Sequence, residues 1–420
     1  MSNVCYRCLL VFFLFISVDS AFSSEDSTVI MIGVDGMRAD TLERMPAPNL
    51  QLLADSGVVA NMTPAMPTKT FVNFYSLATG LHPKNHGMVS NYPYDRKLGR
   101  KFNRESDVAD PKWWSGEPIW ITAEKQGVIS ATYFWVGSEV EIDHIRPSFW
   151  KPYNKHKDYS ERIDEILQWL TLPKGQRPRL VLLYFSAVDS AAHEFGVGSK
   201  EEQKAVARVD KHIGDLLLGL NKLGLRSQSN IVVVADHGMV NLSDERVINL
   251  DPHIDLSKFI VADWADNSNS VFAPFLNLYI EPHLVDAAYN KLHEIHPNMR
   301  VLKRGAFPVN YYFDHPQREP DLMLLADTGW SLYASRNNSH PQSMQKSGRS
   351  IATHGYDNQD PLMQAIFIAN GPAFKKKLKA EAFDNIEIYG LLACALGISP
   401  ASTDGNISSL QYLMAKECLP

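Results

Sequence analysis

Cysteine is scarce in this chain, with 4 among 420 residues, and Cys5 and Cys8 fall inside an apolar N-terminal stretch. That scarcity excludes a small disulfide-built scaffold and a cysteine metal site. It leaves Cys394 and Cys418, which an oxidising compartment would permit to pair. A basic excess is also missing: 41 Lys and Arg stand against 47 Asp and Glu, for a net charge of -6 and a pI near 6.2. Such a chain offers no positive field to the backbone of long DNA or RNA. Internal repeats are absent, and the one run of like charge, Lys375-Lys376-Lys377, reads as a solvated loop. No apolar tail closes the chain, so a C-terminal membrane anchor is not expected.

What is present begins with a message separate from the fold. Arg7 gives a positive start, Leu9 to Val18 is apolar but too short to span a bilayer comfortably, and Val18-Asp19-Ser20 offers a peptidase site. Residues 1–21 therefore read as a secretory signal peptide, which makes the mature chain secreted or periplasmic, with no stable membrane anchor after signal removal. No cysteine follows the apolar run, so a bacterial lipoprotein is not indicated. Hydrophobic content of 45% and charged content of 21% give residues 22–420 ample apolar material for a globular core.

Thr28 to Val34 is a continuous apolar and β-branched run, as expected of a strand buried on both faces of a parallel sheet. Leu180 to Phe185 and Asn230 to Ala235 repeat the pattern, with shorter strands at Val58 to Asn61, Ser130 to Trp135 and Gln364 to Ala369. Between them helices are expected at Pro48 to Ser56, from Thr70 onward, and at Ile119 to Lys125, Tyr159 to Leu170, Lys200 to Leu223 and Asn385 to Leu396. The expected fold is α/β, a mostly parallel central sheet sandwiched by helices. Between Gly238 and Ser350 the long apolar runs thin out, and a smaller inserted subdomain is expected at roughly 250–345.

Three of these strands each deliver an acid just past the C-terminal end: Asp35, Asp189 and Asp236. In open α/β sheets ligands bind at that edge. Asp189 and His193 are four residues apart, so one helical turn points both the same way. His237 adjoins Asp236, and His354 precedes a glycine where the chain returns from the excursion. Singly, each of these residues has an ordinary account as a cap or turn. Together they supply enough oxygen and nitrogen ligands for two zinc ions with positions left open. Two such ions suit in-line displacement at phosphorus. The nucleophile that fits is Thr70, in Pro67-Thr68-Lys69-Thr70-Phe71-Val72-Asn73, where a metal and a helix N-terminus would both favour its alkoxide. Lys69 has two open readings, a phosphate contact or a solvated charge.

The sequence resembles the ectonucleotide pyrophosphatase/phosphodiesterase family of the alkaline phosphatase superfamily. The segments that carry the resemblance are Val34-Asp35-Gly36, Pro67 to Phe71, Thr79 to Pro83, His86 to Asn91, Gly116 to Trp120, Phe134-Trp135 with Gly137-Ser138, Asp189 to His193, Asp236 to Gly238 and His354 to Asp357. They occur in family order and span nearly the whole mature chain.

The resemblance implies an alkaline-phosphatase-like fold and two Zn2+ per chain. One ion would be held by Asp35, Thr70, Asp236 and His237, the other by Asp189, His193 and His354. It implies attack by Thr70 to give a phospho-threonine intermediate that water then hydrolyses, with Asn91 and the Phe71 amide holding a phosphate oxygen. Phe71 and Tyr153 would sandwich a nucleobase, with Trp135 and Tyr184 lining the pocket, although core packing is a competing account of those last two. The expected substrates are nucleotide diesters or pyrophosphates, cleaved to nucleoside 5′-monophosphates by a monomeric enzyme. The alternative is a choline-type glycerophosphodiester or lysophospholipid phosphodiesterase, whose pocket would be an acidic aromatic cage. A phosphomonoesterase lacks its extra cation here, and a non-catalytic binding module would have lost a ligand. Val136 and Glu139 depart from the family's usual Pro and Asp, on the substrate side.

Overall fold

Strand β1 (Thr28–Val34) is buried along its whole length, and the sheet grows outward from it. It pairs in parallel with β5 (Leu180–Phe185) on one side and with β6 (Ser229–Val234) on the other. All three strands are buried at every residue, each Val, Ile or Leu contributing about 1.5–3 kcal/mol by leaving water. The computed structural model describes residues 27–264, 268–336 and 350–418, and the expected signal peptide lies outside them.

The remaining strands are β2 (Val58–Thr63), β3 (Ser130–Tyr133), β4 (Phe149–Lys151), β7 (Ala365–Asn370), β8 (Leu378–Lys379) and β9 (Phe383–Asp384). The 9-stranded sheet runs β8-β2-β7-β6-β1-β5-β3-β4, with β9 also beside β2. Only β7 is antiparallel to both of its neighbours. The expected strand at Ser130 to Trp135 stops two residues early. Phe134 takes a left-handed backbone with φ 67°, a conformation that no strand residue holds.

The longer helices beside this sheet are α1 (Pro48–Ser56), α2 (Thr70–Thr79), α3 (Ile119–Lys125), α4 (Tyr159–Leu170), α5 (Ala187–Phe195), α6 (Lys200–Lys222) and α7 (Ile388–Leu396). They flank the sheet in two groups: α1, α4 and α5 lie against the long α6, while α2, α3 and α7 pack together. A disulfide joins Cys394 in α7 to Cys418.

Residues between β6 and β7 build structure of their own. Ile260–Val261, Phe275–Tyr279, Leu322–Ala326 and Met299–Lys303 make an antiparallel sheet. Val247–Asn249, Ser331–Ser335 and Ser270–Ala273 make a second, mixed sheet, parallel between the first two strands and antiparallel between the last two. Both enclose a separate apolar cluster running from Ile248 to Ala334. Arg318 ties this excursion to the main body. Its buried guanidinium donates to Asp95 Oδ2 at 2.8 Å and to the carbonyls of Gly87, Trp113 and Lys112.

Candidate active site

The adjacent strands β6, β1 and β5 end together, and their acids meet. Asp35 follows β1 directly, and its carbonyl accepts the Asp189 amide at 3.1 Å from the first turn of α5. Gly36 turns the chain away with φ +69°, where a Cβ would lie 3.0 Å from the Asp189 backbone. Its amide donates to Asp236 Oδ1 at 3.1 Å. One dipeptide therefore fixes the other two acids, and glycine is required there.

Each of the three histidines is oriented by a main-chain carbonyl. His193 Nδ1 donates to Ala352 at 2.7 Å, His237 Nδ1 to Gly238 at 2.9 Å and His354 Nδ1 to Thr68 at 2.7 Å. A carbonyl can only accept, so the proton sits on Nδ1 and each Nε2 presents a lone pair. Those lone pairs face carboxylates. His193 Nε2 lies 3.2 Å from Asp189 Oδ1, and His354 Nε2 lies 3.7 Å from the same oxygen. His237 Nε2 lies 2.8 Å from Asp236 Oδ2 and 3.6 Å from Asp35 Oδ1.

Asp35 Oδ1, Asp189 Oδ1 and Asp236 Oδ2 are all buried, and none has a hydrogen-bond partner. With these carboxyls ionised, nitrogen and oxygen lone pairs face one another and repel, and a bound cation relieves that repulsion. The electrostatics agree. Burial, with Asp236 and Asp189 as like charges, raises Asp35 well above the carboxylate range. Burial also pushes Asp236 up to about 8. It drives His354 far below the usual imidazole range and lowers His237. For Asp189 burial acts upward, but His193 pulls the group down; the partner's pull likewise raises His193 against its own burial.

Two sets of ligand atoms converge within 4.8 Å: Asp189, His193 and His354, and Asp35, Asp189 and His237. Asp189 belongs to both, and Asp236 adjoins the second through His237. The donor set, oxygen and imidazole with no thiolate, suits zinc.

Thr70 opens α2, with Lys69 in extended conformation before it, and its Oγ1 lies 3.4 Å from His237 Nε2. Three neighbours hold the loop that delivers it. Thr68 Oγ1 accepts the Gly355 amide at 2.9 Å and donates to the Tyr356 carbonyl. Asn73 is fully buried, accepts the Ala65 amide at 2.7 Å and donates to the Pro67 and Lys69 carbonyls. Lys69 Nζ donates to the His354 carbonyl at 2.8 Å, and burial lowers its ammonium to about 8.

The substrate side is arranged differently from the expectation in three respects. Asn91 Oδ1 accepts the Phe71 amide at 2.9 Å, so the two donors expected to share a phosphate oxygen bond each other, and Asn91 has Nδ2 left to give. Trp135 is buried, with its indole N–H on the Phe74 carbonyl at 3.0 Å and its ring edge-on to Phe74. That position is in the core, and packing accounts for it. Tyr184 is also buried, and its hydroxyl donates to Asp35 Oδ2 at 2.6 Å. It orients a carboxylate, a task that its place in an apolar strand concealed. Phe71 is half-buried against Phe102 and Trp114. Tyr153 is exposed, edges onto Phe134, and is positioned by Glu139, which accepts its amide at 2.9 Å.

Residues 29–357 match the model of the type I phosphodiesterase / nucleotide pyrophosphatase family. Among curated proteins, an uncharacterised pyrophosphatase/phosphodiesterase of Schizosaccharomyces pombe is 37% identical over 90% of this chain and 79% of its own. A venom phosphodiesterase of Crotalus durissus collilineatus is 36% identical over 93% of this chain, and human ectonucleotide pyrophosphatase/phosphodiesterase family member 1 is 35% identical over 93%. The chain spans only 47% and 42% of the lengths of those two relatives. Murine ectonucleotide pyrophosphatase/phosphodiesterase 5 superposes with a TM-score of 0.84 at 30% identity, over 92% of this chain and 100% of that one. An inactive variant of the same murine protein, in complex with AMP, superposes equally well.

Proposed function

The chain belongs to the type I phosphodiesterase / nucleotide pyrophosphatase family, and on that premise we propose that it is an exported two-zinc hydrolase of nucleotide phosphodiester and pyrophosphate bonds that releases nucleoside 5′-monophosphates. The observation that carries this reading is the set of three buried, partnerless carboxylate oxygens facing three imidazole lone pairs beside the Thr70 hydroxyl. Asp35, Thr70, Asp236 and His237 would hold one ion, and Asp189, His193 and His354 the other. When bound, the two ions would supply the positive charge that favours a threonine alkoxide and offsets charge on the entering and leaving oxygens.

The residues divide the rest of the work. Thr70 Oγ1, its proton lost, attacks phosphorus in line with the leaving group, which departs with the bonding electrons. The phospho-threonine ester that results is cleaved when water attacks the same phosphorus and Thr70 Oγ1 leaves. Asn91 Nδ2 donates to a non-bridging oxygen, and the N-terminus of α2 adds its partial positive charge to the same anion. Phe71 and Tyr153 receive the base. An AMP complex of the murine neighbour supports a nucleoside monophosphate as the product bound here.

A parallel rate comparison tests the reading. The substrates are p-nitrophenyl thymidine 5′-monophosphate, ATP, p-nitrophenyl phosphate and p-nitrophenyl phosphorylcholine. The first two should be turned over far faster than the last two. Dominance of the phosphorylcholine substrate would transfer the enzyme to choline-type diesters, and dominance of p-nitrophenyl phosphate would make it a monoesterase.

A further inference from the structure

Arg104 stands on the rim of the cleft and is exposed. Its guanidinium carbon lies 5.1 Å from the centre of the Phe71 ring and 5.3 Å from that of Tyr92. Nη1 donates to the Tyr92 hydroxyl at 3.2 Å. Among the described residues no carboxylate pairs with it. Phe71 also meets Phe102 edge-on and Trp114 at a tilt, with ring centres 5.9 and 6.2 Å away. The Arg104 charge also reaches the opposite ring. Burial raises the Tyr153 phenol, and Arg162 and Arg104 are the cations that pull it back.

We propose that Arg104 is a specificity-determining residue, which reads the edge of the nucleobase between Phe71 and Tyr153 and favours 6-oxopurines over adenine. This rests on the nucleotide reading of the site. A guanidinium has five N–H donors and no acceptor. With Nη1 on Tyr92, the Nε and Nη2 hydrogens remain as a parallel pair, and ring stacking on Phe71 and Tyr92 limits the rotation of their plane. Guanine and hypoxanthine present two neighbouring acceptors, N7 and O6, to such a fork. Adenine sets an amino donor where O6 would be, and two donors then face each other unpaired.

The test is kcat/KM for GTP, ITP and ATP with the wild type, Arg104→Leu and Arg104→Lys. Arg104 is exposed and pairs with no acid, so neither variant removes a contact on which the fold depends. The wild type should favour GTP and ITP alike over ATP by about tenfold. Arg104→Leu should bring the three values level, and so should Arg104→Lys, whose ammonium cannot form the fork. Unchanged ratios in Arg104→Leu would overturn the proposal. So would a preference for GTP that ITP does not share, because that reports the 2-amino group. A common rise on all three substrates would also overturn it, by showing that Arg104 obstructs the slot. A wild type that turns over none of the three removes the nucleotide reading and this inference together, whereas equal turnover of all three removes this inference alone.

Discussion

The imidazole of His237 lies flat on that of His354, with ring centres 3.5 Å apart and planes within 12°. One ring belongs to each proposed ligand set, and each Nδ1 is tied to its own carbonyl. The stack places the two proposed sets side by side. Without cations, buried oxygens of Asp35, Asp189 and Asp236 have no partner, and binding to the folded state alone adds stability by mass action. Chelation should therefore abolish turnover and lower the melting temperature, and zinc should restore both. Hydrolysis that survives exhaustive chelation would count against a metal role.

Tyr184→Phe keeps the buried ring and deletes only the hydroxyl that donates to Asp35 Oδ2. Partners of metal ligands typically contribute 10–100-fold in affinity or activity. Zinc affinity, measured by competition with a chromophoric chelator, should fall by roughly that factor. Unaltered affinity would show that Asp35 is oriented by its backbone neighbours instead.

Asn73→Leu removes the side chain that closes the loop before Thr70. The amide bonds four groups of that loop and accepts from Asn385 Nδ2 at 2.8 Å. Leaving those buried groups unpaired should cost roughly 2–4 kcal/mol in urea unfolding. A loss near zero would mean that Thr68 alone suffices to hold the loop.

His86 gives a pH dependence independent of the proposed metal site. It is buried, Nδ1 accepts the Met88 amide at 3.1 Å, and the Nε2 proton goes to Ser76 Oγ at 2.9 Å. Burial, aided by His82, His315 and Arg318, pushes this imidazole down to about 3. Above the ordinary histidine range it is neutral folded and unfolded, and its contribution is fully present. Below that range the unfolded chain binds a proton that folded His86 refuses, so stability falls as pH drops from about 6.5 toward 3. The slope approaches about 1.4 kcal/mol per pH unit, and His86→Gln should make the acid limb shallower by that amount. Identical limbs would assign the acid sensitivity to other groups.

The clustered acids were legible because physics writes them into the chain locally. A buried parallel strand must read as an unbroken apolar run, and the polar residue that ends it must stand at the ligand edge, as Asp35 and Asp236 do after β1 and β6. What stayed hidden depends on contacts between distant segments. Nothing near Tyr184 announces Asp35, 149 residues away. Trp135 and Tyr184 look alike along the chain, yet one packs in the core and the other holds a carboxylate. Arg104 acquires meaning only when the fold lays it over Phe71. The short strands between β6 and β7 carry too few residues for their period to show, and there the sequence indicated an inserted subdomain at roughly 250–345 but none of its strands.

The central claim is that Thr70 forms a covalent bond to phosphorus. Its most direct test is the stereochemical course at the α-phosphorus of a nucleotide substrate made chiral with sulfur and oxygen isotopes. Two successive in-line displacements, first by Thr70 and then by water, each invert phosphorus. Net retention of configuration is therefore expected in the released nucleoside monophosphate, whereas net inversion would mean direct attack by water and would rule out the Thr70 intermediate.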